Sequence, residues 1–272
     1  MTSNVSAAMS NPVMHTILYH GDIWHISSTF TVSPVLLCAI NLLFRWIYFV
    51  KCALLLIRLT GDSAGGNLAT TVSLKLRDDK FQPAIKMQVL IYPVVQGLDL
   101  QLPSYIQYQN SPSLPQKLMA FFIASYLEGT DARRSAFLNN DHVSPAVKKM
   151  KLPYIDVSQL PSKYLVGYEK PSVETGNETM WNELKEKLLN PYFSPLVAER
   201  LDGLPLTYLF TAEHDVLRDE NLLYAYRLKK SGVKVEHVVS DIAIHPSMLW
   251  FVALPEIDKL YRDMTKFIVS NL

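Results

Sequence analysis

The chain has 272 residues, a net charge of +1 and a hydrophobic share of 49%, which suits one domain around one sizeable core. With so balanced a charge and no basic run, nothing electrostatic favours a nucleic-acid partner. Its two cysteines and seven histidines show no zinc spacing and no phosphate-binding glycine loop is present, so neither a metal nor a cofactor is expected.

In chain order, Met1 to His15 lacks a charged n-region and an apolar h-region and is not read as a signal peptide. The run His20-Gly21-Asp22-Ile23-Trp24 follows, then an apolar stretch from Phe30 to Leu59 broken by Arg45 and Lys51. Two readings stand for it. Val35 to Ile57 is long enough to span a bilayer, which takes about 20 apolar residues, although Arg45 near its middle costs about 2.5–3.5 kcal/mol there. Otherwise it is a buried helix followed by a strand over Cys52 to Leu59. Cys38 and Cys52 both fall in this stretch, as a disulfide in an oxidising lumen or as two free buried thiols.

Gly61-Asp62-Ser63-Ala64-Gly65-Gly66 fits G-x-S-x-G with one glycine more. That pattern marks a sharp strand-to-helix turn that presents a serine hydroxyl. The flanks suit it: an apolar strand before, and a helix after with Leu68, Ala69, Val72 and Leu76 on one face. The competing reading is a glycine-rich helix start with a capping serine. Met87 to Pro93 reads as the next strand. Asp99 to Asn190, rich in Tyr, Pro and Ser, reads as a cap, with a helix at Gln116 to Leu127 marked by Leu118, Phe121, Phe122 and Tyr126. Pro191 to Ala198 returns the chain to the sheet.

Leu206 to Thr211 is β-rich and apolar, a buried strand, and Asp215 stands just past its carboxyl end, where open α/β sheets place their sites. After a helix and Gly232, the alternation of Val233, Val235, His237 and Val239 predicts the last strand, with His245 in the loop beyond. Ser63, Asp215 and His245 therefore occupy strand ends on one sheet edge, in the order nucleophile, acid, base. His214 adjoins Asp215 but points away, His237 belongs to the strand, and His15, His20, His25 and His142 precede the acid. Asp219 and Glu220 are rivals of Asp215, otherwise carboxylates at a helix N-terminus, where the macrodipole favours them; Asp219 could also cap that helix. Pro255 to Asn271 reads as an amphipathic helix with Ile257, Leu260, Tyr261, Met264 and Ile268 on one face.

GDSAGGNLA (Gly61 to Ala69), MQVLIYP (Met87 to Pro93), SPLVA (Ser194 to Ala198) and DVLRDE (Asp215 to Glu220) together resemble the arylacetamide deacetylases, of the hormone-sensitive-lipase-like group of α/β-hydrolases. The resemblance covers Leu59 to Leu272. It implies an α/β-hydrolase with a mostly parallel sheet, flanking helices and a helical cap. The implied activity is serine hydrolysis of carboxylic esters or amides of small lipophilic substrates through an acyl-enzyme, with Ser63 as nucleophile, Asp215 as acid and His245 as base. It further implies the endoplasmic reticulum, membrane or lumen, and possible membrane association. The sequons at Asn4 and Asn177 matter only there.

The chain departs from that family in three places. The family's His-Gly-Gly-Gly stretch is reduced to His20-Gly21-Asp22-Ile23, so the oxyanion donors are expected at Ala64, with Gly21 and Asp22 a degenerate remnant; losing one donor costs about 10²–10³ in kcat in a comparable hydrolase. The family has far more chain between that loop and the nucleophile, so the N-terminal strands are expected to be incomplete and the chain truncated or differently joined there. The Asp-Gly-x-His-Gly pattern around the base is replaced by Asp241-Ile242-Ala243-Ile244-His245-Pro246. The expected division is 1–30, the degenerate oxyanion region; 31–58, the apolar segment; and 59–272, the hydrolase core with its cap at about 99–190. The alternative function is a catalytically impaired relative that binds lipid or a protein partner.

Overall fold

The computed structural model describes residues 17–20, 23–26, 30–32, 58–127, 131–149, 154–169, 172, 174–247 and 255–271. The apolar segment at 35–57 with Cys38 and Cys52, and Gly21 and Asp22, lie outside them. Seven strands form one sheet in the order β1-β2-β3-β4-β5-β6-β7. β4 (Arg58–Asp62), β5 (Met87–Ile91), β6 (Leu206–His214) and β7 (Val235–Ile244) are parallel neighbours. β1 (Ile17–His20), β2 (Ile23–Ile26) and β3 (Phe30–Val32) extend the β4 edge as an antiparallel ladder, with Phe30 opposite Gly61. Where the sequence pointed only to missing strands, the β4 edge is therefore paired by this ladder.

Parallel strands need long crossovers. α1 (Ala64–Asp78) links β4 to β5, α7 (Arg218–Lys230) links β6 to β7, and the whole cap lies between β5 and β6. Side chains alternate across the sheet with period two. Leu59, Leu90 and Leu209 face one way, into a core shared with Leu74, Leu223 and Leu228 of α1 and α7. Met87, Val89, Tyr208 and Phe210 face the other way, onto Ile257, Leu260 and Phe267 of α8 (Pro255–Ser270). Layers of this kind put every parallel strand between two apolar coverings, and β5 is accordingly buried along its whole length.

Two helix faces differ from the sequence reading. On α1 the buried residues include Ala69, Thr70, Ser73 and Leu74, while Leu68 is exposed. Polar side chains could turn inward because they find partners: Thr70 Oγ1 meets Tyr224 Oη at 2.6 Å and Ser73 Oγ donates to the Ala69 carbonyl. The cap comprises α2 (Pro103–Gln107), α3 (Gln116–Tyr126), α4 (Asp131–Leu138), α5 (Pro145–Lys149) and α6 (Glu178–Leu188). On α3 the buried face is Met119, Ala120, Ile123 and Ala124, whereas Phe121, Phe122 and Tyr126 are exposed. The cap core, built on Tyr105, Phe137, Trp181 and Leu184, also takes in Val216 and Leu217 from the turn after β6. The cap is thereby packed against the segment that carries Asp215.

Candidate active site

Ser63 forms the turn between β4 and α1 with φ 52° and ψ −119°, a conformation that a residue with a Cβ rarely adopts and that clusters at functional sites. Backbone bonds hold it there. Its N–H donates to the Ile91 carbonyl at 2.9 Å, and its carbonyl accepts from Asn67 N–H at 3.1 Å and Val94 N–H at 3.2 Å. The side chain makes no capping hydrogen bond, so the capping-serine reading fails and the hydroxyl is left for other work. The glycines answer to close approach. A Cβ on Gly61 would lie 2.2 Å from the Gly65 carbonyl oxygen, and one on Gly66 2.8 Å from Pro93 Cβ. Ala64 opens α1, where first-turn N–H groups have no intrahelical acceptor.

Asp215 follows β6 directly and is 1% exposed. Its Oδ1 accepts from Leu217 N–H at 3.0 Å, and its Oδ2 lies 2.8 Å from His245 Nδ1. A carboxylate can only accept, so Nδ1 is the donor in this bond and Nε2 is the ring nitrogen left outside it. His245 follows β7 and is itself buried. An irregularity brings it there: Ala212 pairs with Ser240 and His214 with Ile244, so two steps on β6 match four on β7. Extra residues of that kind re-aim a strand end. The segment Asp241 to Ile244, which replaces the glycine-bearing loop of the resembled family, is strand rather than loop.

The structure thus brings Asp215 and His245 together and sets Ser63 on the same sheet edge. Among the described residues no hydrogen bond joins Ser63 Oγ to His245, and such bonds often tighten only with substrate bound. Gly21 and Asp22 lie outside the described residues. Two of the other histidines, His214 and His237, fall as read. His214 Nδ1 pairs with Tyr108 Oη at 3.1 Å, and His237 within β7 pairs with Thr211 Oγ1 at 2.9 Å. A cavity of about 320 Å³ is lined by Gln107, Tyr108, Asn110, Pro112, His214 and Ile244, and not by Ser63, Asp215 or His245.

The carboxylate that meets His245 is Asp215, and Asp219 and Glu220 stand in the first turn of α7 as helix N-terminal acids, both fully buried. Asp219 accepts from Ser104 N–H at 2.6 Å and from Arg218 Nε at 2.8 Å, and does not cap α7, whose N-cap is Leu217. Glu220 accepts from Val95 N–H, Gln96 Nε2 and Tyr105 Oη. Burial pushes its pKa up to about 8 against the pull of those three donors, and the Asp215 charge adds to the rise. Arg218 donates to Gln107 Oε1 and lies 3.8 Å over the Tyr164 ring, and Asn221 donates to the Pro93 carbonyl. Four consecutive polar residues therefore anchor the chain leaving β5 for the cap. Sequence reasoning missed them because their partners lie more than a hundred residues upstream, and helix-start acids are usually exposed.

A family model described as alpha/beta hydrolase fold matches residues 50–185 and 157–249. The chain belongs to this family. Among curated proteins it is 38% identical over 199 residues to arylacetamide deacetylase of Bos taurus, covering 71% of the chain and 49% of that protein. It is also 38% identical over 198 residues to neutral cholesterol ester hydrolase 1 of Mus musculus, covering 71% and 48%. The chain spans about half the length of the curated relatives it matches. Among solved structures, a thermostable carboxylesterase cloned from a metagenomic library superposes with a TM-score of 0.52 at 26% identity, covering 78% of the chain and 54% of that protein. Among the described residues no helix is long and apolar enough to cross a membrane.

Proposed function

We propose that this chain hydrolyses carboxylic esters or amides of small lipophilic substrates through an acyl-enzyme. The observation that carries the reading is the buried 2.8 Å bond between His245 Nδ1 and Asp215 Oδ2, on the same sheet edge as a serine held at φ 52°. Ser63 Oγ attacks the substrate carbonyl while His245 Nε2 takes its proton. The Ala64 N–H, at the positive end of α1, stabilises the oxyanion, with Gly21 and Asp22 as the proposed remnant of a second donor site. His245 then gives the proton to the departing alcohol or amine. Water repeats the sequence against the acyl-serine and releases the acid. Asp215 fixes the tautomer and stabilises the imidazolium. The lipophilic substrate class rests on relatives named for arylacetamides and cholesterol esters.

The direct test is labelling with a fluorophosphonate. Wild type is expected to label and Ser63→Ala not to; a folded wild type that stays unlabelled would overturn the reading and favour the impaired, ligand-binding alternative. We place the chain in the endoplasmic reticulum, in contact with its membrane. Asn177 is exposed, and both it and Asn4 begin sequons, so the cellular protein should lose mass on endoglycosidase treatment unless it carries both Asn4→Gln and Asn177→Gln. A mass unaffected by the enzyme would argue against lumenal exposure.

A further inference from the structure

Tyr92 sits where β5 ends, and nothing in the chemistry above uses it. Its φ is 33°, in the left-handed region that favours glycine. Such a conformation is strained and persists only where surroundings hold it. The residue is 1% exposed, and its ring packs against the imidazole of His245 at 4.5 Å between centroids, tilted by 55°. On its other side it meets Phe210 edge-on at 6.0 Å.

The backbone around Tyr92 is tied to both halves of the site. Towards the nucleophile, Ile91 accepts from Ser63 N–H and Val94 donates to the Ser63 carbonyl. Towards the acid, Tyr92 N–H donates to the Phe210 carbonyl at 2.7 Å, and Val95 N–H donates to Glu220 Oε1 at 2.7 Å. The segment 91–95 is thus a strap between the serine turn and the acid–base pair, with the strained residue in its middle. Among the described residues the hydrogen bond that restrains the imidazole is the one from Nδ1 to Asp215. A second contact is needed to stop the ring swinging about that bond.

We propose that Tyr92 is the positioning residue of His245: its ring, held by the strap, sets the direction in which Nε2 points. The inference rests on the hydrolase reading. An aromatic face is the useful part, so the phenol oxygen is dispensable to this role and the ring is not.

The test compares Tyr92→Phe with Tyr92→Leu, and with Tyr92→Met in case the leucine variant does not fold, each checked by a cooperative melt. Tyr92→Phe should label with fluorophosphonate within about twofold of wild type, whereas a ringless variant should label about 10–100-fold more slowly, the range a misplaced catalytic group produces. On a small acyl ester the loss should fall on kcat with KM little changed. In proton NMR the low-field signal of the His245 Nδ1 proton should persist in Tyr92→Phe and broaden or vanish in the ringless variants. Labelling of the ringless variants at the wild-type rate overturns the proposal. If wild type itself does not label, the hydrolase reading fails, and the NMR comparison still decides this one: an unchanged low-field signal without the ring overturns it.

Discussion

At the scale of single residues, the site is built from positions that would be costly anywhere else. Ser63 and Tyr92 both hold positive φ, and Gly61 is present because a Cβ there would lie 2.2 Å from a backbone oxygen that cannot move away. The close packing of β4 against the start of α1 is what makes the serine turn so tight. Gly61→Ala should therefore lower stability by about 1–3 kcal/mol, the usual cost of overpacking, and slow fluorophosphonate labelling as well. A variant with wild-type melting and labelling would show that the turn can relax, against this account. The glycines, the serine and the order Ser63, Asp215, His245 were legible in the sequence because each depends on local geometry or chain order. The strain at Tyr92 was not, because it depends on what packs over it.

Among elements, α7 does more than cross between strands. Its first turn, Arg218 to Asn221, is entirely buried and each side chain grips a different point of the chain leaving β5. Glu220 carries the clearest consequence. Its folded pKa of about 8 is above the ordinary glutamate value of about 4.3. The folded state therefore binds more protons than the unfolded one between those values, and stability falls as pH rises through that window. Glu220→Gln should remove this slope, so its melting temperature should not decline between about pH 6.5 and 8 while that of wild type does. Parallel declines in the two proteins would mean that Glu220 is already ionised in the fold.

For the whole molecule, two buried histidines act in the opposite sense. His142 lies between the carbonyls of Ala136 and Gly97, and His237 inside β7; burial holds both near pKa 4. With an unfolded value of about 6.5, the fold binds fewer protons than the unfolded chain between 4 and 6.5, so stability rises with pH there. Among the described residues two histidines outweigh one glutamate in that range, and above it the shifted group that still titrates is the glutamate. Melting temperature should climb from pH 4.5 to a maximum near 6.5 and then decline towards 8. A maximum below pH 5 would contradict both assignments.

The sequence alone determined the parallel strands, the helix between each pair, the serine turn and the residues at the strand ends. Period-two alternation, apolar runs and glycine spacing are local consequences of backbone geometry, and they survive without knowledge of neighbours. The tertiary structure decided what depends on partners distant along the chain. It chose which face of α1 and α3 is buried, because Thr70 and Ser73 could turn inward only once Tyr224 and a helix carbonyl were there to satisfy them. It made the helix-start acids Asp219 and Glu220 into buried anchors of the cap, because Ser104, Val95 and Tyr105 supply donors over separations of more than a hundred residues. It also paired His245 with Asp215 through an irregular strand end. Burial of a polar group is favourable only where the fold delivers its partner, and no local pattern records that delivery.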